Sequence, residues 1–334
     1  MSEVNLETAV QILNAGGVVA IPTETVYGLG AKISSEQGLK KIFSVKERPF
    51  FDPLIVHVDS IRQAKTCFNE WPEIAEKLAR KFWPGPLTLV MNKSALISDL
   101  ITAGLPRVGV RLPHHAIARQ LIGMVKEPIA APSANKFGKT SPTHFEHVLS
   151  EFGSEIAILA SGPSEIGIES TVLLIDQGHK LSILRKGFVT KESLNLFLTT
   201  AKIKFDWGEA VEKSMAPGQM KHHYMPAIPL VVVKPQSKVQ SESQIMEYIN
   251  QNLARLPDQV DGVKIAKPGN ISTITQLVLP ENAVDSARLL YSELRTKSSG
   301  AAQALYFKQE ALHSGEIWES IFDRLYKAAS LIID

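Results

Sequence analysis

The sequence predicts an α/β protein of two domains. Short apolar runs typical of buried strands are interleaved with segments whose apolar residues recur at helical spacing. A length of 334 residues exceeds the usual size of one domain. The strands and helices of the first 200 residues follow no strict βαβ period, which indicates a mixed sheet. Regular alternation after residue 229 indicates a smaller, doubly wound domain.

The regular pattern is interrupted between residues 201 and 228. This segment carries a His- and Tyr-rich run from Lys221 to Met225, whereas inert spacers favour Gly and Ser. We therefore predict a first domain over 1–200, an ordered linker over 201–228 that lies over the active site, and a second domain over 229–334.

In the first domain, local signals mark the ends of the predicted elements. Gly16 and Gly17 end the N-terminal helix, and Pro49 pushes Arg48 away from helical angles. Ser34 and Gln37 fit a capping box for the next helix. Further helices are predicted at 72–82 and 115–122, and strands at 18–21, 54–58, 87–91, 108–112, 156–160, 171–175 and 181–184.

The second domain shows the alternation of a Rossmann-like fold. A helix carries Val284, Ala287, Tyr291 and Leu294 on its inward face, and the last helix has a wide apolar stripe. A further helix is predicted at 243–255, and strands at 230–233, 263–266, 276–279 and 304–307.

Composition excludes several classes of protein. The net charge of +2 gives no general case for coating nucleic acid. The single cysteine, Cys67, excludes an intrachain disulfide and a CxxC site, and its sequence context favours packing. No stretch approaches the ~20 apolar residues of a membrane helix, and the acidic start lacks the basic region of a signal peptide. We therefore expect a cytoplasmic protein with no membrane partner.

The stretch from Ile129 to Thr143 is an apolar run, then a polar loop, then a predicted helix start. Hydroxyls, backbone N–H groups and the ammonium groups of Lys136 and Lys139 would converge at the positive end of that helix, which is typical of an anion site. Ser141 as N-cap and Pro142 at the first helical position also fit an ordinary surface turn. The loop by itself leaves both interpretations open.

Dispersed cations favour a polyphosphate ligand. Lys46 and Arg48 point the same way if their segment is extended, Arg107 and Arg111 flank one predicted strand, and Arg185 follows another. The guanidinium fork suits phosphate oxygens, although each arginine alone fits a surface ion pair. A Walker lysine, a complete dinucleotide fingerprint, an HExxH motif and a nucleophile elbow are all missing from the sequence.

Six motifs, in order between residues 5 and 195, resemble the YrdC-like domain. They are PTETVYGLG at 22–30, KERP at 46–49, WPGPLT at 83–88, VGVRLP at 108–113, APSAN at 131–135 and ESTV at 169–172. The linker and second domain resemble those of the longer, two-domain threonylcarbamoyl-AMP synthases. The resemblance implies a YrdC-like domain with a twisted mixed sheet, followed by a smaller Rossmann-like domain.

The resemblance also implies an activity. Enzymes of this family are L-threonylcarbamoyladenylate synthases, which are nucleotidyltransferases. They condense L-threonine, bicarbonate or CO₂, and ATP into threonylcarbamoyl-AMP and pyrophosphate. A downstream threonylcarbamoyl-transferase complex then acts on tRNA. The implied cofactor is Mg²⁺, held mainly by the ATP phosphates without a dedicated set of protein ligands, and a weak RNA contact is a further expectation.

Carried over position by position, the resemblance implies three sets of site residues. The catalytic set is Lys46, Arg48, Ser133 and Asn135. The ATP-binding set is Arg48, Asp52, Arg107, Ser133, Ser141, Arg185 and Tyr224. The threonine-binding set is Thr25, His57, Arg111, Ala131 and Thr171. Two positions depart from the family pattern: Asp52 replaces an Asn, which would bring a carboxylate to the nucleotide, and His222 replaces a basic residue.

Two other classes of function compete with this one. A basic concavity could bind an RNA backbone as readily as a triphosphate, although interleaved surface aromatics are lacking. YrdC-like domains also serve carbamoyl-phosphate-using transferases, but those proteins carry zinc-finger cysteines and this chain has only Cys67.

Overall fold

A computed structural model of the chain describes residues 3–176, 179–208, 222–260 and 262–334. The chain forms two compact units. The first comprises Met1–Lys136 and Pro142–Gln219, and the second comprises Phe137–Ser141 and Met220–Asp334.

The segment Phe137–Ser141 therefore packs with the second unit, although its sequence position lies within the first. The predicted boundaries, 1–200, 201–228 and 229–334, assigned this segment to the first domain. Residues 209–221, the central part of the predicted linker, lie outside the described residues. The placement of the linker over the active site therefore stays a prediction.

The first unit is a mixed α/β structure. Its strands are β1 (Glu3–Val4), β2 (Val19–Ile21), β3 (Gly28–Lys32), β4 (Ile55–His57), β5 (Leu87–Asn92), β6 (Arg107–Arg111), β7 (Ile129–Ala130), β8 (Ala157–Leu159), β9 (Thr171–Ile175), β10 (Lys180–Arg185) and β11 (Asp206–Trp207). Its helices are α1 (Leu6–Asn14), α2 (Glu36–Lys46), α3 (Ile61–Thr66), α4 (Glu73–Phe82), α5 (Asp99–Thr102), α6 (Ala116–Val125), α7 (Phe145–Phe152) and α8 (Lys191–Thr200).

The strands of the first unit form one mixed sheet in the order β1-β8-β2-β3-β7-β4-β6-β5-β9-β10-β11. Strand β4 pairs parallel with β6, so that His57 lies opposite Arg111, and β5 pairs parallel with β9, so that Leu87 lies opposite Thr171. Neighbouring β5 and β6 are antiparallel. The predicted mixed sheet is confirmed, and its register brings residues from distant motifs side by side.

Apolar side chains are buried on both faces of this sheet. Leu89 and Leu173 join the main core beneath α2, α4 and α8, whereas Val90 and Leu174 belong to a smaller cluster. This alternation is the period of two expected of a strand. A third cluster packs α1 and α6 against β2 and β7.

Two local predictions in the first unit were wrong. Helix α2 is capped by Ser35, whose side chain accepts a hydrogen bond from the Gly38 N–H (3.0 Å), and not by Ser34. Helix α7 begins at Phe145 and not at Pro142. The carbonyl of Pro142 accepts instead from the backbone of Tyr27, which draws this segment into extended pairing.

Strand β3 is an element that the sequence analysis missed, because Gly28 and Gly30 are typical of a loop. A Cβ built on Gly30 would lie 2.9 Å from the Ile129 side chain of the neighbouring strand. The glycine therefore permits close approach of β3 and β7 rather than a turn.

The second unit is doubly wound, as predicted. Its strands are β12 (Leu230–Val233), β13 (Gln259–Val260), β14 (Val263–Lys264), β15 (Ile274–Gln276), β16 (Ala304–Lys308) and β17 (Leu331–Ile333), and its helices are α9 (Glu242–Asn252), α10 (Ala283–Ser298) and α11 (Glu316–Ala328). Strands β15-β16-β12-β17 form a parallel sheet in that order, and β13 and β14 form a separate hairpin.

Three predictions for the second unit need correction. The strand expected at 263–266 is one arm of the hairpin, and the strand expected at 276–279 lies at Ile274–Gln276. Val284 is 43% exposed, because it lies in the first turn of α10 beside the Asn282 cap, whereas Ala287 and Tyr291 face inward as predicted. No helix in the described ranges has the length and apolar character needed to span a membrane.

Gly187, which follows β10, offers a test of the packing in the first unit. A Cβ at this position would lie 2.4 Å from the Thr171 backbone nitrogen and 2.6 Å from the Glu169 carbonyl oxygen. We expect Gly187→Ala to lower the free energy of unfolding by about 1–3 kcal/mol, because backbone cannot yield as a side chain can. Urea unfolding measures this difference. Gly162→Ala is the control, since no atom lies within 4 Å of its Cβ position; equal stability of the two variants would contradict the prediction.

Candidate active site

Lys46 is the last residue of α2, and its side chain is almost completely buried. The next residue, Glu47, adopts a left-handed conformation with φ 53°, so the segment is not extended and the condition for Lys46 and Arg48 to point the same way is not met. The Lys46 ammonium donates to the carbonyl oxygens of Ser133 (2.5 Å) and Asn135. These two bonds fix the backbone of the polar loop.

Burial and the neighbouring Arg48 charge lower the pKa of Lys46 well below its usual range. The two carbonyl dipoles compensate for the lost hydration of the ammonium. Of the predicted catalytic residues, the structure brings Lys46, Ser133 and Asn135 into direct contact, but through main-chain carbonyls. Helix α7 begins at Phe145, ten residues after Asn135, and the anion site that the loop pattern suggested stays a prediction.

Arg48 is buried against Asp52. A guanidinium nitrogen lies 2.9 Å from the Asp52 carboxylate, and the guanidinium also donates to the carbonyls of Asp52 (3.3 Å) and Pro53 (2.9 Å). Burial raises the pKa of Asp52, and the Arg48 charge opposes that rise. The departure from the family's Asn thus gives an internal ion pair that orients Arg48.

Arg185 extends this group of charges. Its guanidinium donates to the Ser170 carbonyl (3.1 and 3.0 Å) and to the Ser170 hydroxyl (3.2 Å), which lies 2.8 Å from the Thr88 hydroxyl. The charges of Lys46 and Arg185 also act on Asp52. Thr88 and Ser170 were absent from the predicted sets, although the WPGPLT and ESTV motifs contain them.

Arg111 is the centre of a second buried group. It lies 2.7 Å from the Glu24 carboxylate and donates to the Thr25 hydroxyl (2.8 Å) and the Gly85 carbonyl (3.3 Å). Burial raises the pKa of Glu24, but the Arg111 charge together with hydrogen bonds from Arg111 and from backbone N–H groups outweighs it, so that the net pKa is lowered. Glu24 was missed by the sequence analysis, although it lies between two threonines of the first motif.

His57, opposite Arg111, is buried and uncharged. Burial and then the Arg111 charge lower the pKa of His57 to about 3. Its Nδ1 atom has no hydrogen-bond partner among the described residues. Ala131 is buried as well, and the Thr171 hydroxyl donates to the Val189 carbonyl (2.7 Å).

Three further predicted nucleotide-binding residues have other contacts in the structure. Arg107 forms an ion pair with Asp176 (2.9 Å) at the other end of β6 from Arg111. Ser141 and Tyr224 belong to the second unit, where the Tyr224 ring stacks on Tyr291 at 5.6 Å. Their contact with a nucleotide stays a prediction.

The donor set gives little support for a resident metal ion. Within the described ranges, no three His, Cys, Asp or Glu side chains are grouped so that they could hold one. Asp52, the buried carboxylate paired with Arg48, already faces the charges of Arg48, Lys46 and Arg185. This arrangement fits a Mg²⁺ ion that arrives on phosphate oxygens.

The depressed pKa of His57 predicts a pH dependence of stability. At pH values below 6.5, the unfolded chain binds a proton at His57, whereas the folded unit binds it only near pH 3. The free energy of unfolding therefore falls as the pH is lowered through this window, by about 1.4 kcal/mol per pH unit for this group. His57→Gln removes the contribution, so urea unfolding at several pH values should give a shallower slope. His114→Gln, at an exposed histidine, is the control. If the free energy of unfolding of His57→Gln falls with pH as steeply as that of wild type, the pH dependence cannot be assigned to His57.

Two family models match consecutive parts of this chain. A family model covering Sua5, YciO and YrdC proteins, described as "Telomere recombination", matches residues 11–187. A second model, described as the C-terminal domain of threonylcarbamoyl-AMP synthase, matches residues 189–330. The two models together span residues 11–330 apart from residue 188.

Individual relatives match over most of the chain. The threonylcarbamoyl-AMP synthase of Pyrococcus abyssi is 35% identical over 98% of this chain and 95% of that protein. The Bacillus subtilis synthase is 42% identical over 67% of this chain and 65% of that protein. A crystal structure of P. abyssi Sua5 complexed with L-threonine matches with a TM-score of 0.80 and 32% identity, covering 98% of this chain and 95% of that one. The chain therefore belongs to the two-domain Sua5 family of threonylcarbamoyl-AMP synthases.

Proposed function

We propose that this chain condenses L-threonine, bicarbonate or CO₂, and ATP into threonylcarbamoyl-AMP and pyrophosphate. The observation that carries the proposal is the junction of Lys46 with Ser133 and Asn135, beside the buried guanidinium groups of Arg48 and Arg185. Transfer of an adenylyl group makes the reaction that of a nucleotidyltransferase. The P. abyssi relative, crystallised with L-threonine, supports the choice of amino acid.

The proposed chemistry has two steps. The threonine amine forms a bond to the carbon of CO₂ and releases a proton; with bicarbonate, that proton leaves with the bicarbonate hydroxyl as water. A carbamate oxygen then attacks the α-phosphorus of ATP in line, and the bond to the bridging oxygen of pyrophosphate breaks. Because the carbamate and ATP are both anionic, positioning and charge neutralisation supply most of the acceleration.

Cationic side chains held in place before ATP arrives suit this reaction. Arg48 is oriented by Asp52, and Arg185 is oriented by Ser170. Lys46 keeps the loop of Ser133 and Asn135 in one conformation, so that its polar groups need little rearrangement. Mg²⁺ carried on the phosphates would add Lewis-acid neutralisation of the leaving pyrophosphate.

The group around Arg111 suits threonine. Glu24, Thr25 and the Gly85 carbonyl fix the guanidinium, which would pair with the threonine carboxylate. The neutral His57 ring can bond to the substrate hydroxyl, and Ala131 offers a small apolar surface to its methyl group. Selection against serine would then be limited to about 1–3 kcal/mol, as for one methyl group.

The product is a mixed anhydride that water can hydrolyse. We therefore include in the proposal a downstream threonylcarbamoyl-transferase complex acting on tRNA. A weak RNA contact and a cytoplasmic location remain expectations from the sequence.

Pyrophosphate release from ATP tests the proposed reaction. The purified chain with ATP, Mg²⁺, threonine and bicarbonate should release pyrophosphate, and omission of threonine or of bicarbonate should each reduce the rate to background. Replacing threonine by valine controls for the hydroxyl group. Release that continues at the same rate without either substrate would remove the assignment.

Lys46→Met tests the junction of α2 with the loop. We expect kcat/KM for ATP to fall at least about 100-fold, because the loop carbonyls lose their charged partner. Lys41→Met is the control, since that lysine lies on the same helix and is exposed. Thermal unfolding of each variant sets an assay temperature at which both are folded. A Lys46→Met enzyme with the activity of the Lys41→Met control would contradict the role of Lys46.

A further inference from the structure

The polar loop is held at two points that are close in sequence. On one side, Lys46 binds the carbonyls of Ser133 and Asn135, and the Lys136 N–H donates to Glu151 (2.9 Å). The next residues, Phe137–Ser141, pack with the second unit. We name Phe137–Ser141 the loop tip.

Hydrogen bonds attach the loop tip to the second unit at three residues. The Met225 N–H donates to the Gly138 carbonyl (2.8 Å), and the Thr140 N–H donates to the Met225 carbonyl (3.2 Å). The Thr140 hydroxyl donates to the Tyr224 carbonyl (3.0 Å). Arg295, on α10, donates to the Thr140 carbonyl.

Apolar packing adds a steric constraint. Met225, Val263 and Ile265 form a buried cluster against which Phe137 packs. Gly138 adopts φ +74°, and a Cβ at this position would lie 2.6 Å from both methyl groups of Val263. The tip thus fits its surroundings only with glycine at this position.

We propose that the second unit acts as a clamp on the loop tip, and that this clamp sets the ATP affinity of the loop. Gly138 and Arg295 are then positioning residues. Three residues of chain span at most about 10–11 Å when extended, so a displacement at Gly138 reaches Asn135 directly. The inference rests on the proposed nucleotide role of Ser133 and Asn135, and it assigns a purpose to the C-terminal part of the chain.

Two substitutions test the clamp: the first introduces a steric clash between residue 138 and Val263, and the second removes that clash. Gly138→Ala in the full chain should weaken ATP binding about tenfold, which corresponds to about 1.4 kcal/mol. The double variant Gly138→Ala/Val263→Ala removes both Val263 methyl groups from the new Cβ and should restore the ATP dissociation constant to within about threefold of wild type. Equilibrium dialysis with ATP measures binding without turnover.

Two controls separate the clash from backbone strain and from lost packing. Gly262→Ala places alanine at φ +78° with no atom within 4 Å of its Cβ, and Val263→Ala alone removes the methyl groups; each should stay within about twofold of wild type for ATP. Direct binding of threonine should change less than twofold in all variants, whereas general unfolding would impair both ligands.

Each outcome decides a separate point. Gly138→Ala with wild-type ATP affinity, or failure of the double variant to recover, would overturn the clamp. Arg295→Met, which removes the bond to Thr140, should also weaken ATP binding while leaving threonine binding intact, and unchanged ATP affinity there counts against the proposal. If the wild type binds ATP but releases no pyrophosphate with all substrates, the proposed reaction fails while the clamp is still tested.

Discussion

The buried Lys46 ammonium and its two carbonyl partners are the constraint on which the candidate site depends. A lysine at the end of a helix normally reaches solvent, where its charge costs nothing. Here the left-handed Glu47 ends α2, and Lys46 points inward to Ser133 and Asn135. The charge can stay buried only while those carbonyls remain in place, so the helix end and the loop stabilise one another.

Three buried arginines, Arg48, Arg111 and Arg185, likewise each have a polar partner that fixes the direction of the guanidinium group. Asp52 orients Arg48, Ser170 orients Arg185, and Glu24 with Thr25 orients Arg111. Buried pairs of this kind are weak evidence for stability, because desolvation offsets the Coulomb attraction. They do provide donors whose orientation is set before an anionic substrate enters, which is the property that phosphoryl chemistry requires.

Much of the fold was predictable, because helix and strand periodicity and the glycine and proline signals are local. Strand β3 was missed because its glycines serve the neighbouring Ile129, which lies about a hundred positions away in the printed sequence. The site residues were recognisable by type and motif, but their contacts were not. Three of these contacts and conformations depend on sheet order and on tertiary packing, which local patterns do not encode. They are the αL turn at Glu47, the pairing of Arg48 with Asp52 and the bond from Lys46 to backbone carbonyls.

The contact between Arg295 and Thr140 also bears on how the protein is made. The two residues are 155 positions apart, and domains generally fold from the N-terminus while the ribosome is still adding residues. The sheet of the first unit is therefore complete in the nascent chain well before α10 emerges. During that interval the newly made polypeptide has no Arg295 to bond to Thr140, so under the proposed clamp the loop tip would be fixed only after the first unit has folded.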